Sequence, residues 1–170
     1  MTYWNLVDHY GVDAFARDLA SAGGVGLITP DLVPDEAPDW FAASDAHGLD
    51  RIFLVSPSSS DERIAATAKA CRGWLYATAV MGVTGTREQS SSVAPDLVAR
   101  VRSLAPNTLV GVGLGISTGD QAAQVAAYAD AAIVGSAFVK PMLAAEDAGT
   151  PDDLTGVRRV LADLVAGVRR

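Results

Sequence analysis

Val110-Gly111-Val112-Gly113-Leu114-Gly115-Ile116-Ser117-Thr118 is the stretch on which the fold turns. Its first half is a short apolar run of strand type, and its second half opens into glycine and hydroxyl residues just before a helical pattern. The same grammar recurs twice. Residues 74–80 lead into Met81-Gly82-Val83-Thr84-Gly85, and the apolar residues from Ala131 lead into Val134-Gly135-Ser136-Ala137. Glycine after the C-terminal end of a strand is what a parallel barrel uses to let its functional loops approach a ligand. A doubly wound dinucleotide fold places its glycine fingerprint after the first strand instead. Here the first β-like run is followed by Asn5-Leu6-Val7, which has no such pattern. The glycine placement therefore favours the barrel.

Working outward, β-like runs occupy residues 1–4, 25–29, 51–56, 74–80, 108–114 and 131–135. Most are continuously apolar, as expected of parallel strands covered on both faces. Helical patterns lie between them. Val12, Phe15 and Leu19 share one face of the first; Ile64, Ala68 and Cys71 share a face further on, as do Leu97, Val101 and Leu104. The last helix carries Val157, Val160, Leu161, Leu164 and Val168. Capping boxes are expected at Ser59 with Glu62 and at Thr118 with Gln121. One helix is expected from Pro34-Asp35-Glu36 to His47-Gly48, and residues 144–156 read as the loosest part of the chain. The expected architecture is α/β, a partial TIM (βα)8 barrel with about six βα units and the first two units absent. No linker divides it, so residues 1–170 are expected to form a single domain, an incomplete barrel.

Composition narrows the function classes. Of 170 residues, 49% are hydrophobic and 19% charged, which excludes a disordered chain. The net charge of −7, from 13 basic and 20 acidic residues, repels a phosphodiester backbone, so no nucleic-acid partner is expected. The most apolar stretch, from Ala131 to Val139, is about half of a membrane span, so no membrane role is expected. A single cysteine, Cys71, forms no internal disulfide, and two distant histidines give no zinc spacing. No metal and no cofactor are expected, and a cytoplasmic location is.

Three glycine-bearing strand ends point to backbone binding of a phosphate, because N–H groups reach an anion only where no Cβ intervenes. Other polar groups at strand ends are few. Asp31 either faces the barrel mouth or caps the helix that Pro34 opens. Tyr3 and Tyr76 either enter the barrel or pack in the core. Thr84 begins a loop, Thr84 through Ser92, that is either a connector or a lid. His9 and His47 read as solvent-side residues, and Cys71 as packing.

Together these segments resemble a known family. Met1-Thr2-Tyr3-Trp4-Asn5 with Tyr10-Gly11-Val12-Asp13-Ala14-Phe15 looks like the third strand and following helix of tryptophan synthase alpha chains. Gly26-Leu27-Ile28-Thr29-Pro30-Asp31-Leu32, Phe53-Leu54-Val55-Ser56-Pro57, Gly82-Val83-Thr84-Gly85, Gly111-Val112-Gly113-Leu114-Gly115-Ile116 and Val134-Gly135-Ser136-Ala137 look like later landmarks in order. The resemblance implies a lyase of L-tryptophan biosynthesis that cleaves indole-3-glycerol phosphate to indole and glyceraldehyde 3-phosphate and hands indole to a beta chain. By position it assigns phosphate contacts to Gly85, Gly115, Gly135 and Ser136. It places Tyr3, Asp31, Tyr76, Thr84 and Leu114 around the substrate, with Asn5 near substrate and partner. The family's catalytic glutamate and aspartate match no residue here, and their positions precede Met1. The chain alone is therefore expected to have little or no activity, and open strand edges to favour self-association. Two alternatives stand beside this: a non-catalytic partial barrel that binds a phosphate or a partner, and another phosphate-binding barrel enzyme such as the isomerases of histidine synthesis, for which a matching acidic pair is lacking.

Overall fold

The computed structural model describes residues 1–78, 93–113 and 115–170. The chain divides into two compact units, Met1–Val110 and Gly111–Arg170.

In the first unit the order is α1 (Trp4–Tyr10), α2 (Val12–Ser21), β1 (Gly26–Ile28), a 3-10 turn (Pro34–Glu36), α3 (Pro38–Ala46), β2 (Asp50–Ile52), β3 (Leu54–Val55), α4 (Asp61–Ala70), β4 (Leu75–Thr78) and α5 (Val93–Leu104). β1 pairs in parallel with β2, from Gly26 opposite Asp50 to Ile28 opposite Ile52. β3 pairs in parallel with β4, Leu54 opposite Tyr76 and Val55 opposite Ala77. β2 and β3 are consecutive parts of the expected run at 51–56. Phe53 between them is 1% exposed, and its carbonyl accepts the Tyr76 N–H at 3.0 Å.

The core of this unit forms where β1 meets the helices. Val7, Ala16, Leu27, Trp40, Leu49 and Phe53 are buried together, with Val12, Phe15 and Leu19 of α2 packed against them. The Trp4 ring meets Trp40 edge-on at 6.1 Å. Burying a side chain the size of Phe53 contributes up to ~3 kcal/mol. In the middle of β2, Arg51 ties α3 and α4 together. Its guanidinium pairs with Asp45, donates to Ser44 Oγ at 2.9 Å and to the Ala70 carbonyl at 3.4 Å, and lies 5.0 Å from the Phe41 ring centre. That hydrogen-bonded arginine holds the Asp45 carboxyl below the usual carboxylate range.

Four expectations need correction in this unit. Residues 1–3 form no strand, and a helix begins at Trp4; the strand-like contact there is the Thr2 N–H to the Ile28 carbonyl at 3.2 Å. The cause lies 27 residues away, where both Asp31 oxygens accept the Trp4 N–H at 2.9 and 3.0 Å and so cap the new helix. Asp31 thus caps α1, not the turn that Pro34 opens. The cap of α4 is Ser60, whose Oγ accepts the Arg63 N–H, not Ser59. Ser59 is committed to a turn: its N–H bonds the Ser56 carbonyl at 2.9 Å, and its Oγ accepts the Ser56 N–H at 3.1 Å. The segment opened by Pro34 is also divided, because Pro38 starts α3 afresh after the 3-10 turn.

The second unit comprises β5 (Val110–Gly113, from its second residue), α6 (Gly119–Ala126), β6 (Ala131–Ile133), α7 (Ser136–Asp147) and α8 (Thr155–Val168). β5 and β6 pair in parallel, Gly111 opposite Ala131 through Gly113 opposite Ile133. Thr118 and Gln121 form the expected capping box on α6. α8 lies so close to α6 that a Cβ on Gly167 falls within 2.6 Å of the Gly119 Cα and carbonyl carbon. Asp163, a turn earlier on α8, accepts the Gly119 N–H at 2.6 Å. The loose stretch expected at 144–156 is partly helix, since α7 runs on to Asp147 and α8 begins at Thr155. The apolar stripe expected on α8 is only partly covered: Leu164 is buried, while Leu161 and Val168 are 50% and 45% exposed.

Among the described residues no helix is long and apolar enough to cross a membrane.

Candidate functional site

Parallel pairing determines where loops emerge. Because Gly113 lies opposite Ile133, residues two further along each strand, Gly115 and Gly135, leave at the same end of the β5–β6 pair. The chain turns at Gly115 with φ +66°, a left-handed conformation that glycine adopts without penalty. Gly135 has φ −122°, and a Cβ at either glycine meets no atom within 4 Å. Packing among the described residues therefore does not explain these glycines.

Ser136 is the first residue of α7, a helix of 12 residues with Gly135 at its N-cap and no side chain capping it. The amides of Gly115, Gly135 and Ser136 donate to no acceptor among the described residues, and all three residues are exposed. Unpaired amides at a helix N-terminus carry partial positive charge and suit an anion.

The N-terminus of α6, close by in sequence, differs. The N–H groups of Ser117 and Thr118 bond to Gln121 Oε1 at 2.8 and 3.2 Å, and the Gly119 N–H bonds to Asp163. These three donors are taken. Asp163 escaped the sequence reading because it lies 44 residues from its partner and has no local signal. Gln121 was visible only as half of a capping box.

The remaining candidates fall in the first unit or outside the description. Gly85, Thr84 and Leu114 are not among the described residues, nor is the lid-like segment from Thr84 to Ser92. Tyr3 is 65% exposed at the N-cap of α1, beside the Trp4 amide that Asp31 holds. Asn5 is exposed on α1. Tyr76 is half-buried in β4 and stacks on Trp74 at 6.0 Å; burial pushes its hydroxyl pKa up. His47 is not a free surface residue, since its ring lies 3.2 Å from Asp13. Arg100, which the sequence did not single out, clamps the loop after β3 by donating to the Pro57 and Ser59 carbonyls at 3.2 and 2.8 Å while pairing with Asp61.

Two cavities lie elsewhere. One of about 300 Å³ sits between the 3-10 turn and α4, lined by Asp35, Glu62 and Arg63 among others; an apolar groove of about 220 Å³ in the second unit is lined by Val134, Phe138 and Val168 among others. Neither contains a predicted site residue. Among the described residues no three His, Cys, Asp or Glu side chains gather as a metal would need.

Parallel strands alternating with helices, with glycine-bearing turns at the C-terminal ends of β5 and β6, define a chain of the (βα)-barrel class. A family model described as "Tryptophan synthase alpha chain" matches residues 1–160, and the chain belongs to that family. It is 63% identical over 170 residues to the tryptophan synthase alpha chain of Acidothermus cellulolyticus, covering all of this chain and 62% of the relative. To that of Mycobacteroides abscessus it is 58% identical over the same coverage. A solved structure of Mycobacterium tuberculosis tryptophan synthase superposes with a TM-score of 0.87 at 56% identity, covering 100% of this chain and 62% of that one. A structure of the tryptophan synthase α2β2 complex of Pyrococcus furiosus superposes at 0.82 with 26% identity, covering 97% and 65%. The chain thus spans about 62% of the length of the curated relatives it matches.

Proposed function

We propose that this chain is the phosphate-holding part of a tryptophan synthase alpha barrel, with residues 1–170 as one incomplete barrel domain. In this reading it binds indole-3-glycerol phosphate, or a similar sugar phosphate, through the backbone at Gly85, Gly115, Gly135 and Ser136. Tyr3, Asp31, Tyr76, Thr84 and Leu114 surround the rest of the substrate. The supporting observation is the pair of glycine turns two residues beyond Gly113 and Ile133, whose amides, with that of Ser136 at the uncapped start of α7, donate to no acceptor among the described residues.

Cleavage of indole-3-glycerol phosphate breaks the bond between ring carbon and glycerol carbon. The bonding pair stays with the indole, the ring carbon receives a proton, and the neighbouring hydroxyl loses one to become the aldehyde. That needs an acid and a base in different environments. Asp31 is one carboxylate, and both of its oxygens already accept the Trp4 amide. We therefore assign this chain alone binding without substantial lyase turnover. In a complete barrel the activity is that of a carbon–carbon lyase of tryptophan biosynthesis in the cytoplasm, working with a beta chain. Self-association through open strand edges belongs to the same reading, and apolar side chains left uncovered on α7 and α8 add to it.

The test is direct. Incubated with indole-3-glycerol phosphate, the chain is expected to bind it in competition with inorganic phosphate and to release no indole above background. Turnover near that of a full-length enzyme refutes the inactive reading. Failure of phosphate to compete refutes the cradle.

A further inference from the structure

We infer that Gln121 is a positioning residue for the Gly115 side of the anion cradle, an inference that rests on the function proposed above. In an ordinary capping box the Gln side chain returns one hydrogen bond to the N-cap amide. Here Gln121 Oε1 accepts three donors: the Ser117 N–H at 2.8 Å, the Ser117 hydroxyl at 3.1 Å and the Thr118 N–H at 3.2 Å. A carbonyl oxygen has two lone pairs, so this acceptor is saturated and spent on the loop, not on solvent. Its partners directly follow Ile116, which is 3% exposed and anchors the loop in the core.

The consequence reaches Gly115 along the chain. With Ile116 buried and Ser117 and Thr118 tied to α6, the C-terminal side of the Gly115 turn has a fixed origin. The glycine itself, at φ +66°, has no side chain, and a Cβ there meets no described atom within 4 Å. Its amide direction is otherwise soft, and a soft donor loses binding free energy in becoming ordered around a ligand. Gln121 supplies that order beforehand. It also closes the competing site: together with Asp163 on the Gly119 amide, it consumes three successive N–H groups at the start of α6 and leaves the anion to Gly115 and the start of α7.

Backbone amide NMR spectra with inorganic phosphate as the probe separate positioning from mere stability. In the wild-type chain the Gly115, Gly135 and Ser136 amides are expected to shift together as phosphate is added. Gln121→Met keeps the side-chain length and removes the acceptor, and because Gln121 is exposed the chain still folds. In this variant the Gly135 and Ser136 responses persist, the Gly115 response disappears, and the phosphate Kd rises about five- to tenfold, the scale of one hydrogen bond's net contribution. Val125→Ala is the stability control: Val125 is 4% exposed on the same helix and remote from the loop, so its truncation lowers the melting temperature while all three responses remain. An unchanged Gly115 response in Gln121→Met, or its equal loss in Val125→Ala, overturns the inference and leaves the cradle standing. A wild-type chain in which none of the three amides responds overturns the cradle and the inference with it.

Discussion

Replacing Gly167 by alanine tests the packing that supports the proposed site. In an isolated helix the change is favourable by up to ~1 kcal/mol, and by less this close to the end of α8. In the folded chain the added methyl meets backbone, not the tip of a flexible side chain. It falls within 2.6 Å of the Gly119 Cα and carbonyl carbon and closer still to the carbonyl oxygen, where ordinary contacts begin at 3.4 Å. To relieve this, α8 must withdraw from α6 by about 1 Å, a typical small-to-large adjustment that costs ~1–3 kcal/mol. The same movement stretches the Asp163 bond to the Gly119 N–H, now 2.6 Å, and a hydrogen bond to a charged group contributes ~1.5–3 kcal/mol. Partial loss of that bond, added to the overpacking and offset by the propensity gain, leaves about 2–4 kcal/mol of destabilisation in the second unit. Urea unfolding followed by far-ultraviolet circular dichroism should show the helices of this unit melting about 1–2 M earlier than in wild type. Trp4, Trp40 and Trp74 all lie in the first unit, so their fluorescence gives an independent record of that part. A Gly167→Ala chain as stable as wild type, or more stable, would mean that propensity outweighs contact and that α6 and α8 are not in backbone contact.

Two further outcomes are expected. Burial pushes the Cys71 thiol from 9.0 to about 11, with smaller opposing effects from the Phe53 backbone and Arg51. The neutral thiol is the form the fold accommodates, so stability is full below pH 9.0 and falls as pH rises through about 11, and native reactivity toward a disulfide reagent should climb through the same interval; a native plateau at or below pH 9.0 contradicts this. Val139, Met142 and Leu143 on α7 are each about half exposed at i, i+3 and i+4, with Leu161 and Val168 uncovered on α8. Sedimentation velocity at micromolar concentration should therefore show species larger than 17.6 kDa, and a single monomeric boundary would refute the self-association.

The elements that sequence pattern located well are those whose signals are local. The runs at 25–29, 51–56, 74–80, 108–114 and 131–135 each contain an observed strand, because continuous apolar residues bounded by glycine and turn residues have few alternative uses. The Thr118–Gln121 box was legible for the same reason, since both halves of the motif lie within one turn. Misreadings occurred where a distant group competed. Residues 1–4 have strand-like composition, yet Asp31 caps a helix at Trp4 from another loop and Val7 of that helix enters the core. Ser59 and Ser60 are equivalent as caps by type, and only the turn that closes on Ser56 decides between them.

The sequence alone determined the alternation of strand and helix, the glycines at the strand ends and the membership those segments imply, because each is written in contiguous residues. The tertiary structure alone decided which helix N-terminus stays open. Ser117, Thr118, Gly119, Gly135 and Ser136 are all suitable anion donors by residue type. The first two are spent on Gln121 and the third on Asp163 of a different helix, while the amides of Gly135 and Ser136 meet no acceptor among the described residues. A backbone donor serves a ligand only if no other acceptor has reached it first; for Ser117 and Thr118 that acceptor is local, and for Gly119 it is settled by packing between elements far apart in the chain.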